Sequence, residues 1–443
     1  MLEHIPSAVQ LIIETLNQAG YEAYAVGGCV RDALLGLEPH DWDICTSALP
    51  GQVSETFPDR RIYTVGIQHG TVVLPIEGEN YEITTYRADG DYTDHRHPDG
   101  VTFVSSLRDD LSRRDFTINA MAFHPKEGVI DFFEGQEDLK KGLIRCVGDP
   151  EQRFEEDGLR ILRALRFASR YGFTIEGDTG RALRKKAPLL NYVAGERIWT
   201  ELKGFFAGSS PARLLNDYRD VFAVVMPEIS AMFDVPQNNP HHCYDVWEHT
   251  CYSVDYAAGD GVLGFVMLFH DSGKPACHRR DERGIDHFFG HPQKSAELAL
   301  QVLDRFHCDN QTKETVDLLI RWHDRCWRVS RRGAKKLLAA LGSERTQLLF
   351  RVINADIRAQ SPEFLPQKLE VLEQWRTQVA QLEQENACLH LRDLAVSGRD
   401  LMELGVRPGP EMGTILKELL EAVLNDEVAN DRSALLRRVR KKR

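Results

Sequence analysis

Between Ala23 and Ile44 the chain passes from a short apolar run, Ala23–Val26, through Gly27-Gly28 and a helical run, Val30 to Leu35, to the acidic triplet Asp41-Trp42-Asp43. This order predicts strand, tight turn, helix and second strand, the last over Trp42 to Cys45, because a brief apolar run closed by glycine reads as a strand entering a turn. Residues i and i+2 of a strand face the same way, so Asp41 and Asp43 present two carboxylates at one point, where they can share divalent cations. Glycine at 27 and 28 lets backbone N–H groups approach a phosphate, and the start of the helix adds a favourable dipole. Together these parts describe a site for metal plus triphosphate.

The chain has 443 residues, 42% of them hydrophobic, enough for several modules with real cores. Its net charge of −12 argues against coating nucleic acid through bulk electrostatics, so contact with RNA requires local basic patches. The nine cysteines form no Cys-x-x-Cys pair and read as reduced thiols, an expectation of a cytoplasmic protein. Met1 to Gly20 reads as an amphipathic helix carrying Glu3 and Glu14, not a secretory leader, and no segment approaches a membrane span.

Strand candidates at Ala23–Val26, Trp42–Cys45, Thr71–Pro75, Tyr81–Tyr86 and Met121–Phe123 mix with helices up to about Gly148; from Pro150 the apolar spacing becomes helical. The expected fold is an α/β catalytic head, a mixed sheet with helices, followed by an all-helical body. The expected domains are 1–148, 149–235, 241–360 and 361–443, with Pro236-Gln237-Asn238-Asn239-Pro240 as a linker and a looser boundary near Ser361-Pro362.

Two further motifs carry chemistry. In Arg113-Arg114-Asp115-Phe116-Thr117-Ile118-Asn119, the guanidinium forks suit phosphate oxygens and the Asn119 amide suits hydroxyls. In Glu156-Asp157-Gly158-Leu159-Arg160, with Arg163 and Arg166 following, Asp157 and Arg160 are expected on one helical face as an acceptor beside a donor fork. Either motif alone also describes an ordinary capped helix with surface ion pairs.

In their order, Gly-Gly-Cys-Val-Arg-Asp, Asp-Trp-Asp, Arg-Arg-Asp-Phe-Thr-Ile-Asn-Ala and Glu-Asp-Gly-Leu-Arg resemble the bacterial class II CCA-adding tRNA nucleotidyltransferases and poly(A) polymerases of the polymerase-β superfamily. The resemblance implies an α/β nucleotidyltransferase head with a polymerase-β-like mixed sheet, followed by an all-α neck, body, further helical domain and tail, and Mg²⁺ on Asp41 and Asp43, with Glu82 a third acid or a neighbour that tunes the site. It also implies nucleotide contacts from Gly27, Gly28, Arg31, Arg114, Asn119, Asp157, Arg160, Arg163 and Arg166. Cytosine and adenine both offer an amino donor beside a ring-nitrogen acceptor, so an accepting Asp157 and a donating Arg160 suit C and A and reject U and G. The expected activity is template-independent CCA addition from CTP and ATP onto tRNA gripped along its acceptor and T arms, with no membrane and no obligate protein partner. Arg160, Arg163, Arg166, Arg170, Arg181, Arg184, Lys185 and Lys186 are the expected basic strip for RNA. The segment Tyr63 to Thr71 and the full-length stretch Ala88 to Val104, with Asp94-His95-Arg96-His97-Pro98, resemble the complete CCA-adding form. A poly(A) or partial-CCA polymerase is the alternative within the class.

Farther on, Glu248-His249, then His270-Asp271 ending an apolar run, His287, His291 and Asn354-Ala355-Asp356 suggest a divalent-metal set, because mixed nitrogen and oxygen ligation suits several transition metals. The pattern resembles the HD phosphohydrolase domain, with His249, His270, Asp271 and Asp356 matching its motif; Ser272 replaces a common leucine. The alternatives are histidines that only hydrogen-bond within a helical core, and a chain that is mainly an HD-type nucleotide or RNA-end phosphohydrolase with a nucleotide-sensing head.

Overall fold

The computed structural model describes residues 5–64, 70–89, 101–104, 106–325 and 328–442. The chain divides into two compact units, Met1–Pro227 and Glu228–Arg443. The segment Asp94 to Pro98 and most of Tyr63 to Thr71 lie outside the described residues.

The first unit is built on a six-stranded sheet of β1 (Ala23–Val26), β2 (Ile44–Thr46), β3 (Thr71–Ile76), β4 (Glu79–Thr85), β5 (Met121–His124) and β6 (Gly128–Asp131). Its order is β3-β4-β2-β1-β5-β6, and β2 runs parallel to β4 while the other neighbours are antiparallel. The sheet is therefore mixed, as expected. Central β1 is buried at all four positions, which is why its sequence is a continuous apolar run instead of an alternating one. Helix α1 (Ser7–Gln18) packs on it through Ala8, Val9, Ile12, Ile13 and Leu16, spaced for one helical face.

Two strand boundaries differ from expectation in an informative way. Asp41 and Trp42 precede the ladder and β2 begins at Ile44, although the Asp43 carbonyl still accepts from Val26 N at 2.9 Å. Strand β6 and a small hairpin, Arg87–Asp89 with Val101–Phe103, were not expected, because such short runs lack a periodic signal.

Helix α2 (Gly28–Leu34) follows β1 directly, and α3 (Leu107–Ser112) precedes the arginine motif. Beyond the sheet come α4 (Pro150–Glu156), α5 (Arg160–Tyr171), α6 (Gly177–Lys186) and α7 (Gly195–Phe206). Asp157 does not share a helix with Arg160, contrary to the sequence expectation. It sits in extended backbone (φ −142°, ψ 105°) between α4 and α5, and its Oδ1 accepts from Leu159 N at 3.0 Å. Gly158 fixes the break, since a Cβ there would lie 3.1–3.2 Å from the Leu189 side chain and carbonyl. Helix α5 buries Ile161, Leu162, Leu165 and Phe167, packs against α7, which buries Trp199, Leu202, Phe205 and Phe206, and stops at left-handed Gly172 (φ +68°). Each fully buried aromatic here contributes about 1.5–3 kcal/mol by removal from water.

In the second unit, α8 (Val246–Tyr256), α9 (Gly261–Phe269), α10 (His291–Arg305), α11 (Asn310–Trp322), α12 (Arg331–Arg358, broken at Gly342) and α13 (Leu365–Gln384) follow in order. Helix α9, Gly-Val-Leu-Gly-Phe-Val-Met-Leu-Phe, is apolar around its whole circumference and contacts α8, α10, α11 and α12, so the residues leaving its C-terminus are held inside the unit. Residues 388–439 enclose a separate small core around Leu401, Leu419, Val423 and Leu435. The expected linker Pro236–Pro240 is instead bonded into this unit: Gln237 Oε1 accepts from Lys274 Nζ at 2.7 Å, and Asn238 donates twice to Asp286 Oδ2.

Candidate functional site

The parallel register Ile44↔Ile83 sets the acidic cluster of the first unit. Asp43 and Glu82 each precede the paired isoleucine and so lie side by side on the opposite face, with Asp41 two residues upstream. Asp43 is solvent-accessible as a residue, yet its carboxyl is crowded by protein. Desolvation raises its pKa above the usual range; Arg114 opposes this, and the like charges of Glu82 and Asp41 add to the rise. A site of crowded carboxylates with only oxygen donors fits a hard cation such as Mg²⁺. Among the described residues, sets of three such ligand atoms within 4.8 Å of one another occur only around Asp271.

Gly27 enters the turn at φ +81°, its N–H donating to Met121 O at 3.0 Å. A Cβ on Gly27 would stand 2.7 Å from Arg114 Nη1, so the missing side chain is the space that guanidinium occupies. Arg114 also lies 3.6 Å from Asp110 Oδ2, and its Nε is buried without a hydrogen-bond partner among the described residues. Arg31, by contrast, is 5% exposed and turned inward. It donates to Asp32 and Asn119 Oδ1, and its guanidinium lies 5.0 Å and 5.1 Å from the ring centres of Phe167 and Tyr171 on α5. Asn119 is likewise buried, donating to Asp115 Oδ1 at 2.9 Å.

Asp115 joins the sheet side to α5. Its Oδ2 accepts from Arg163 Nε and Nη2 at 2.9 Å and 2.6 Å. Burial alone would raise its pKa, but Arg163 foremost, then Asn119 and Arg160, bring it down to about 2. Arg166 pairs with Glu201 of α7 and lies 4.3 Å from the Phe167 ring centre. Arg160 donates to Glu156, Arg153 O and Arg113 O, while Asp157 Oδ2 accepts from Arg197 Nη2 at 2.8 Å. Asp157 and Arg160 are thus held by separate partners. The expected basic strip is also divided: Arg160, Arg163 and Arg166 face internal carboxylates, whereas Arg170, Arg181, Arg184 and Lys185 are exposed, three of them paired to surface acids at 4 Å or less. Arg197, Glu201, Phe167 and Tyr171 escaped sequence reasoning; the i,i+4 aromatic pair on α5 was the one available signal.

In the second unit, the turn after α9 places His270 and Asp271 beside His249 of α8 and Asp356 of α12. His249 Nε2 lies 3.3 Å from Asp271 Oδ2, 3.1 Å from Asp356 Oδ1 and 3.2 Å from His270 Nε2. His270 Nε2 is 3.2 Å from Asp271 Oδ2. Burial lowers the basicity of His270, but Asp271 and then Asp356 reverse the effect and raise it to about 10; both carboxylates are held well below their usual range. His291, first residue of α10, and His323, which follows α11, complete the cluster on the other side of Asp271. His323, in Trp322-His323-Asp324, was missed although it repeats the His-Asp dipeptide at a helix end. His287 stands apart and bonds Asp281 at 3.0 Å.

Comparison with known proteins decides the relationship of the whole chain. Residues 23–145 match the description "Poly A polymerase head domain", residues 172–233 "Probable RNA and SrmB- binding site of polymerase A", and residues 299–439 tRNA nucleotidyltransferase domain 2. The CCA-adding enzyme of Levilactobacillus brevis is 36% identical over 438 residues, covering 98% of each chain. The chain belongs to the CCA-adding enzyme family. Another member, from Lactiplantibacillus plantarum, is 35% identical over 98% of this chain and 97% of its own. The crystal structure of the Bacillus stearothermophilus CCA-adding enzyme in complex with CTP superposes with a TM-score of 0.72 at 30% identity, covering 98% of this chain and 97% of that one. The polymerase-β-like head and helical remainder are those of the family. Among the described residues no helix is long and apolar enough to cross a membrane.

Proposed function

We propose that the chain completes the 3′ end of tRNA, adding CCA from CTP and ATP without a nucleic-acid template and releasing pyrophosphate, in the cytoplasm. The observation that carries the site assignment is the grouping of Asp41, Asp43 and Glu82 beside Arg114, which lies over side-chain-free Gly27. Asp41 and Asp43 would hold Mg²⁺, which in such a site lowers the pKa of an attacking hydroxyl and stabilises a leaving pyrophosphate. Arg114 and the Gly27-Gly28 turn face the phosphates. Arg31 and Asn119, both buried and mutually bonded, act by holding that turn against α5. Asp157 and Arg160 read the exocyclic amino group and ring nitrogen shared by C and A, after exchanging their present partners Arg197 and Glu156 for the base. The domains expected at 1–148 and 149–235 serve as catalytic head and nucleobase-selecting neck and body.

The test is incubation of the purified chain with tRNA lacking its 3′ end and each labelled nucleoside triphosphate alone, then CTP with ATP. Sequential C, C, A incorporation is expected; A alone in long runs, or no incorporation, refutes the assignment. For the second unit, the convergence of His249, His270, Asp271 and Asp356 supports an HD-type divalent-metal phosphohydrolase site within residues 241–360.

A further inference from the structure

Residues Ala187–Tyr192 form a 3₁₀ turn between α6 and α7, closed by a bond from Val193 N to Leu190 O at 3.2 Å. Side chains three apart in such a turn eclipse one another, so each row has its own surroundings. Ala187 and Leu190 are buried. Leu189 is half-buried and meets Gly158, where a Cβ would lie 3.1 Å from the Leu189 Cβ. Tyr192 continues the Leu189 row and is 75% exposed. The segment is pinned beside Asp157 on both flanks: Leu189 packs on the residue after it, and Arg197, in the first turn of α7, donates to Asp157 Oδ2 at 2.8 Å. A single open ring is ordinary on a protein surface; this one is distinguished by its fixed place near Asp157 and by the cations that lead to it. Arg181, Arg184 and Lys185, toward the end of α6, are exposed and pair with Asp178, Asp220 and Glu151. Exposed pairs of this kind contribute little, so they exchange readily for phosphate.

We propose that Tyr192 is a stacking platform for the unpaired base at the 3′ end of the tRNA, the nucleotide whose hydroxyl receives the incoming one. The inference rests on the reading that the chain extends tRNA, with Asp157 and Arg160 holding the edge of the incoming base. Two nucleotides being joined carry their bases in neighbouring planes, so edge contacts to one leave the face of the other to be held. A ring this open, continuous with exposed cations, suits the end of a strand, because cations that follow a backbone to an aromatic ring are the components of a single-stranded RNA site. Stacking is also indifferent to which base is presented. That tolerance matches a primer end that changes from the discriminator base to C, and to C again, as the sequence grows.

The test is a binding cycle on the full chain. Wild type, Tyr192→Trp and Tyr192→Leu are titrated, without nucleotide, with tRNA lacking CCA and ending in either an intact or an abasic nucleotide. Removing the base should weaken binding on the order of 10-fold for wild type and Tyr192→Trp, and by less than about 2-fold for Tyr192→Leu. Equal effects of base removal on all three proteins, including no effect at all, overturn the proposal, because ring and base then act independently. In steady-state assays Tyr192→Leu should raise the KM for tRNA and leave the KM for CTP and ATP unchanged. A rise confined to the nucleotides assigns the ring to the incoming base and overturns the proposal as well. The cycle reads binding alone, so it separates from the activity: wild type that binds this tRNA without incorporating C, C and A refutes the functional reading, while the cycle still decides whether Tyr192 holds the terminal base.

Discussion

Removing Asp115 should destabilise the first unit by about 3–5 kcal/mol, because it strands a guanidinium, an amide and a backbone N–H together. Asp115 is 8% exposed and accepts from Arg163 twice, from Asn119 Nδ2 and from its neighbour's N–H. Its descent from 3.8 to about 2 independently corresponds to ~2.5 kcal/mol at about 1.4 kcal/mol per pH unit. The sign follows from linkage: a carboxyl whose folded pKa lies below its unfolded one stabilises fully above about pH 4 and loses that contribution as pH falls toward 2. Asp115→Ala, Arg163→Ala and the double variant would be unfolded in urea at pH 7 and near pH 3.5, followed by far-UV circular dichroism and by Trp42 and Trp199 fluorescence. The coupling energy should be about 2 kcal/mol at pH 7 and smaller at pH 3.5. Additivity within about 0.5 kcal/mol at pH 7 would refute the reasoning, since independent residues behave that way.

Asp41→Ala or Asp43→Ala should lower nucleotide incorporation on the order of 10³-fold or more while filter binding still detects tRNA; near-normal incorporation would end the metal assignment. Gly27→Ala, which adds a strained Cβ at φ +81° where Arg114 Nη1 lies 2.7 Å away, should raise the KM for both nucleotides in steady-state assays. Asp157→Ala should shift kcat/KM ratios toward UTP and GTP, and equal loss for all four nucleotides would assign it a supporting role only. His270→Ala with Asp271→Ala should leave CCA addition nearly intact, as single-turnover incorporation by a protein of unchanged helical content would show.

What sequence alone revealed depended on how local each determinant was. β1, the Gly27 turn and the acidic pair were legible because strand, turn and carboxylates are neighbours in the chain. Asp157 was misplaced on a helix because the break depends on Gly158 meeting Leu189, a contact no local pattern records. The basic strip looked continuous because its acids, Asp115 and Glu201, lie 48 and 35 residues away in sequence from their partners. His249, His270, Asp271 and Asp356 were recognisable as a motif, whereas His323 depended on the packing of α11 against α9.

The bonds among Arg31, Asp32, Phe167 and Tyr171, with Asp115 on Arg163, mean that the sheet and α5 are not interchangeable parts. A chimaera joined near residue 148 would inherit half of each pair: a cation without its ring stack, a phenol without its carboxylate, a carboxylate without its fork. Grafting the neck of one nucleotidyltransferase onto the head of another therefore requires residues 31, 32, 115, 163, 167 and 171 to travel as a set, whatever the similarity of the two backbones.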